Sequence, residues 1–208
     1  MRTVGATICY VCLATLLAAT AVGETAAETE VPLASERGFR QMTERLRIAL
    51  VFASYATYAP TRADQLLHTQ QVINLLVGER GDGYDAGVSP GALFPSLAAV
   101  LWPDGVIPGL IPDARRLKHA LALLDRLDPS RRDQAGRVVS TLTRYLDLAL
   151  DAMHVAGRAR RYDDAYEQIL RGYAFLLAAY GPAAEPTPGG LGALRQLLGG
   201  ALEASDRR

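Results

Sequence analysis

The chain is poor in the residues that carry most enzyme chemistry. Three histidines, three methionines and one tryptophan are spread over 208 residues, and both cysteines, Cys9 and Cys12, stand near the start. Arg2 precedes an almost uncharged apolar run from Val4 to Val22, and polar, acidic sequence follows at once. That order of charge and apolar run is the pattern of a secretory signal peptide. Ala21 and Gly23 put small residues where a signal peptidase reads, so cleavage is expected after Gly23, with Ala21 and Ala27 as further sites. Retention of the run as a membrane anchor is the alternative, because it is about long enough to span a bilayer. The cysteines lie in the first half of the run, which excludes a lipid-bearing cysteine at its end. Cleavage removes both. The remaining chain of about 185 residues would then hold no disulfide, no thiolate nucleophile and no cysteine-bound zinc, iron–sulfur cluster or covalent haem. Stability must come from apolar burial, for which that length suffices.

Other absences narrow the function. Lys and Arg number 22 and Asp and Glu number 22, so no basic excess argues for nucleic acid. No nucleophile elbow, phosphate loop or zinc-protease helix is present, and the three histidines belong to three different segments. A non-enzymatic protein is expected. No segment alternates with period two, so no strand is expected either.

What is present is helical periodicity. Phe39, Met42, Leu46, Ala49 and Ala53 lay one stripe along a first helix that begins near Ser35 and stops near Tyr58, ahead of Pro60. Thr61 with Asp64 resembles a capping box and opens a second helix running to Gly78. From Gly78 to Pro112 the pattern breaks into one long irregular loop with repeated glycine and proline. Ala92–Trp102 is expected to hold a short helix there, with Trp102 pinning the loop to the bundle. Leu117, Leu121, Leu124 and Leu127 mark a third helix from Asp113. Val138, Leu142, Leu146, Ala149, Met153 and Ala156 mark a fourth, opened by Ser130 and Asp133. Asp163 to Tyr180 is a fifth, stopped by Gly181-Pro182, and Leu191, Leu194, Leu198 and Leu202 mark a short terminal helix. The expected fold is all-α, an antiparallel helical bundle of about five helices plus that terminal helix. The expected divisions are a signal peptide at 1–23, a flexible leader at 24–34, the bundle domain at 35–182, and a linker with the short helix at 183–208.

The candidate site is the stretch Leu66 to Asp85, where His68, Gln71 and Asn74 form a polar row beside an apolar helical face and a Gly/Asp loop follows. Neutral imidazole binds metals through one nitrogen, and amides hold hydroxyl or carboxylate ligands by hydrogen bonds. His68 with Glu79, Asp82 and Asp85 is the candidate metal set, although the loop lacks the alternating oxygens and twelfth-position glutamate of an EF-hand. A second feature is the strip Tyr162, Tyr166, Tyr173 and Tyr180, whose rings bring apolar bulk and whose hydroxyls need partners. Tyr166 and Tyr173 join the candidate ligand-binding residues. Asp151 and His154 share a face at helical spacing, with an ion-paired surface the simpler reading. His119, among arginines, reads as a surface residue.

The string His68, Val72, Asn74, Leu75 and Gly78 with the loop after it resembles the histidine-containing helix of uncharacterised exported bacterial helical proteins, where a second histidine often stands in the place of Gln71. It also resembles, more distantly, the corresponding helix of imelysin-like periplasmic proteins, a group linked to metal handling. The resemblance covers about twenty of the 208 residues. It implies an exported, helical, metal-associated protein and brings no catalytic residue. The sequence leaves the cofactor unknown: a divalent metal is the candidate, and haem is disfavoured because nothing sets His154 against Met42 or His68 against Met153. The expected role is binding of an envelope protein or a small ligand, in the periplasm or outside the cell. Periplasmic metal binding is the alternative. No nucleic acid is expected, and a membrane only if the signal segment is retained. His68 and Gln71 are expected to face a cavity covered by the Gly78–Pro112 loop.

Overall fold

A computed structural model describes residues 33–88, 102, 105–122, 127–181 and 189–203. Among them are six helices and no strand: α1 Glu36–Thr57, α2 Arg62–Val77, α3 Leu110–Ala122, α4 Pro129–Arg158, α5 Tyr162–Tyr180 and α6 Leu191–Glu203. The expected leader and signal segment, the helix within Ala92–Trp102 and Leu124 lie outside the described residues, apart from Leu33, Ala34 and Trp102.

Local chemistry sets the helix ends. Ser35 caps α1 by accepting from the Gly38 amide at 3.0 Å, which satisfies one of the free donors of the first turn. Thr61 caps α2 by accepting from the Asp64 amide at 3.1 Å. Asp64 does not reach back to the Thr61 amide as a capping box would; its carboxylate accepts the Thr61 hydroxyl proton instead, at 2.6 Å. Two starts differ from expectation. α3 begins at Leu110, three residues before Asp113, because Pro112 falls in its first turn, where a missing amide proton costs nothing. α4 is capped by Asp128 and not by Ser130: the Asp128 carboxylate accepts from the Arg131 amide at 2.9 Å, and Pro129 takes the first helical position. Gly181, left-handed at φ 51°, closes α5 as expected.

The helices α1, α2, α4 and α5 form a ring in which α1 packs on α2 and α5, and α4 packs on the same two. Consequently α2 and α5 stand diagonally. Neighbours run antiparallel. The start of α2 meets the end of α4 through Arg62, whose guanidinium donates to the carbonyls of Ala156 and Ala159 at 2.7 Å each. The start of α5 meets the end of α1 through Tyr162, whose hydroxyl donates to the Ala59 carbonyl at 2.7 Å. The core between them is built from Phe52, Leu46, Leu75, Leu76, Leu142, Leu146, Met153, Ile169 and Leu176 with many alanines. Val139 rather than Val138 supplies the fully buried valine of α4. Gly172 lets α5 approach α4 closely, since a Cβ there would come within 2.6 Å of Met153 Cε.

α3 lies across α4, α2 and α1 and is held by a buried ion pair. Arg45 of α1 bonds the Asp113 carboxylate and also donates to the Pro108 carbonyl at 2.9 Å. The chain reaches α3 past a tight backbone crossing, where Gly78, at φ 73°, meets Gly109 and a Cβ on either would run into the other's backbone. Trp102 is buried in the core, as the pinning role required. α6 packs on α4, α1 and α5, with Leu191, Leu194 and Leu198 in the same core. The terminal helix therefore belongs with the bundle, in one unit running from Pro32 to Arg208.

Candidate ligand-binding face

His68 sits where α2 faces α1. Its ring is stacked near Phe52, with centroids 6.3 Å apart and planes 20° from parallel, and tilted against Tyr55 at 5.4 Å. Its Nδ1 lies 2.8 Å from Gln71 Oε1. An amide oxygen has no proton to give, so Nδ1 is the donor, and in the neutral ring Nε2 keeps its lone pair. Helical spacing explains the geometry, since residues three apart meet on one face. Phe52 is fully buried on one side of the imidazole, whereas Tyr55 in contact with the ring is exposed, as are Val51 on α1 and Leu67 on α2. The outcome is an oriented, half-buried base at the rim of an apolar patch.

The rest of the polar row does something else. Asn74 is fully buried. Its amide nitrogen donates to the carbonyls of Asp85 at 2.7 Å and Val88 at 2.6 Å, and its oxygen accepts from the Asp85 amide and from Gln70 Nε2, both at 2.9 Å. Two donors and two lone pairs are the whole capacity of such an amide, so Asn74 has nothing left for a ligand. Gln70 also donates to the Gly83 carbonyl at 2.7 Å. These bonds fasten the 79–88 segment along α2. The expected cover of His68 and Gln71 by the Gly78–Pro112 loop falls largely on residues outside the described ones; of that loop, the described 79–88 segment is bonded to Gln70 and Asn74, while His68 and Gln71 pair with each other toward α1.

The candidate metal set is not gathered. Glu79 accepts from the Ile107 amide at 3.1 Å, Asp85 accepts from the Gly87 amide at 2.8 Å in a side-chain turn, and Asp82 is exposed. Among the described residues no group of three His, Cys, Asp or Glu comes together in a way that could hold a metal. On the same segment, the Tyr84 hydroxyl is pushed above its ordinary pKa by burial and then by the charges of Glu79 and Asp85. His154 lies over the same turn, its Nε2 3.1 Å from where a Cβ on Gly83 would stand. His119 is exposed. Met42 and Met153 are fully buried in the core, Met153 against Gly172.

Tyr166 and Tyr173 are half-buried on α5, diagonal to α2, so they do not share a site with His68. Tyr162 spends its hydroxyl on Ala59. The partners that sequence reasoning missed are Arg45, Asp113 and Arg62. Arg45 was visible only as a charge beside an apolar stripe, and its guanidinium pKa is lowered by burial while Asp113 pulls the other way. Arg62 is likewise lowered by burial. Its grip on the carbonyls of Ala156, Gly157 and Ala159 at the end of α4 has no local sequence sign.

The chain matches no protein-family model, no curated protein and no solved structure.

Proposed function

We propose that this is an exported, non-enzymatic helical protein that binds a partner in the cell envelope through the α1–α2 face around His68. The observation that carries the reading is the His68–Gln71 pair. It holds the imidazole in one tautomer with Nε2 as an acceptor, beside the exposed Tyr55, Val51 and Leu67. A rigid aromatic and aliphatic patch with one oriented polar group is the kind of anchor on which binding energy concentrates. Export rests on the charge and hydropathy order of the first residues. The test places a photo-crosslinking side chain at Tyr55 in the native cell. A covalent adduct that disappears with His68→Ala, seen as a shifted band or as added mass, is the expected result, and no adduct of either kind would overturn the reading. Intact mass of envelope-recovered protein should begin near Glu24, whereas Met1 retained in the membrane fraction would mean an anchor.

Metal binding is a second reading, favoured by one observation. A histidine whose Nδ1 proton is held by an oxygen acceptor is oriented as metal-bound histidines are. It offers a single bond, so any ion must bring its other ligands from a partner. Elemental analysis of the purified protein separates the two readings, since a stoichiometric metal lost in His68→Ala is expected only from this one.

A further inference from the structure

The turn from Gly81 to Tyr84 is closed by the Tyr84 amide, which donates to the Gly81 carbonyl at 3.3 Å, and Gly83 stands in it at φ 87°, where such a turn takes glycine. Its two ends are fixed. The Gly81 amide donates to the Gly78 carbonyl at 2.9 Å, while Gln70 holds the Gly83 carbonyl at 2.7 Å and Asn74 holds both backbone groups of Asp85. The peptide plane that joins Asp82 to Gly83 is left alone between them. Neither the Asp82 carbonyl nor the Gly83 amide has a hydrogen bond among the described residues, and the exposed Asp82 carboxylate has no ion pair there. That plane can turn while its flanks stay in place. The Asp82 carboxyl can then close a small ring on the Gly83 nitrogen, which no Cβ crowds. Against the same glycine lies an imidazole of α4, His154, its Nε2 3.1 Å from where a Cβ on Gly83 would stand. Imidazole is the side chain best matched to taking and returning a proton near neutral pH.

We propose that the Asp82–Gly83 peptide is a self-modifying site, at which His154 assists ring closure and Asp82 is converted to isoaspartate. The Gly83 nitrogen attacks Asp82 Cγ, the carboxyl being in its acid form. A carbon–nitrogen bond forms, the amide proton passes to His154 Nε2, and the carboxyl hydroxyl leaves as water with that proton. The cyclic imide then takes up one water. Opening at the side-chain carbonyl returns aspartate, whereas opening at the main-chain carbonyl leaves the chain running through the side chain, with one more methylene in the backbone and a free α-carboxylate. The mass is unchanged. The added methylene carries Gly83 out of register with Gln70, so the segment keeps only its Asn74 bonds to α2. Asp85 on the same segment is the internal control. Its amide and carbonyl are tied to Asn74, its carboxylate accepts from the Gly87 amide at 2.8 Å, and the residue after it is Ala86, which has a Cβ.

Peptide mapping of the folded chain as recovered from its cells, incubated at neutral pH, tests this, with an isoaspartate-specific methyltransferase to tag the product. A synthetic peptide of residues 79–88 in free solution sets the clock. Position 82 should convert at least as fast in the folded chain as in the peptide, through a transient species lighter by one water, and Asp85 should not convert. Asp82→Glu should abolish the tag, because a larger ring would have to close. His154→Gln, its fold verified by circular dichroism, should slow conversion about tenfold or more. A folded chain that keeps aspartate at position 82 while the peptide converts overturns the proposal. Unchanged or faster conversion in His154→Gln overturns the part given to the imidazole, since loss of a merely structural contact would loosen the segment and speed closure. His68→Ala should leave the rate unchanged, which keeps this result separate from the one that tests the α1–α2 face.

Discussion

The same side-chain group, a primary amide, does opposite work within one turn of α2. Gln71 pairs with His68 and leaves an imidazole nitrogen free, whereas Asn74, three residues on, uses every hydrogen-bonding position it has to hold Asp85 and Val88. Buried polar groups cost on the order of 1–3 kcal/mol each when unpaired, so Asn74→Ala should lower unfolding free energy by about 2 kcal/mol. The Asp85 amide, which loses its acceptor, should exchange its hydrogen markedly faster. Denaturant unfolding with residue-resolved exchange measures both, and unchanged exchange at Asp85 would contradict the clip. Tyr84 on the same segment supplies a pH dependence. Its folded pKa is raised above the ordinary 10.0 by burial and by Glu79 and Asp85, so the folded state favours the protonated phenol. That contribution is complete below pH 10 and is lost as pH rises through the raised value. Melting temperature should fall more steeply above pH 10 in the native chain than in Tyr84→Phe, and identical slopes would argue against it.

Elements are joined here by a few long-range polar contacts that sequence patterns do not carry. The ends of α1, α2 and α5 were legible because caps and stops are local: Ser35, Thr61, Pro60 and Gly181 act within four residues. The buried pair of Arg45 and Asp113 joins residues 68 apart, and nothing near either one announces the other. For the same reason the diagonal placement of α2 and α5, which divides His68 from Tyr166 and Tyr173, was beyond reach. A row of polar residues on one helix likewise gives no sign of which amide is saturated. The Arg45–Asp113 pair also makes a sharp prediction. Removing Asp113 leaves Arg45 buried without its charge partner, so Asp113→Ala should cost about 3–5 kcal/mol, and Arg45→Ala should cost less because Arg116 still pairs with Asp113. Arg45→Met with Asp113→Leu removes both charges and refills the space, and should recover most of that loss. A double variant as unstable as Asp113→Ala would mean that the Pro108 carbonyl contact matters more than the pair. Urea unfolding of the four proteins decides it.

At the scale of the whole molecule, the helical hairpins α1–α2 and α4–α5 close a ring, and α3 and α6 lie against its outside. The sequence divided the terminal helix from the bundle because a proline and glycine stretch precedes it. Composition of a connection, however, says nothing of what the helix beyond it packs on. Leu191, Leu194 and Leu198 are 0–2% exposed in the shared core, and the backbone at Gly190 passes so close to Ala178 and Gly181 that a Cβ would stand 2.8 Å from both the Ala178 carbonyl oxygen and Gly181 Cα. Each such leucine contributes about 1.5–3 kcal/mol by burial. Unfolding should therefore be one cooperative transition in which α6 melts with the ring, seen as coincident far- and near-ultraviolet curves. Leu194→Ala should lower stability by about 2–5 kcal/mol, and Gly190→Ala should also be destabilising because backbone rather than a flexible side chain blocks the new Cβ. An early helical loss that leaves the aromatic signal intact would show that α6 is an appendage. Because the ring would then stand without it, Leu194→Ala would shift only that first step.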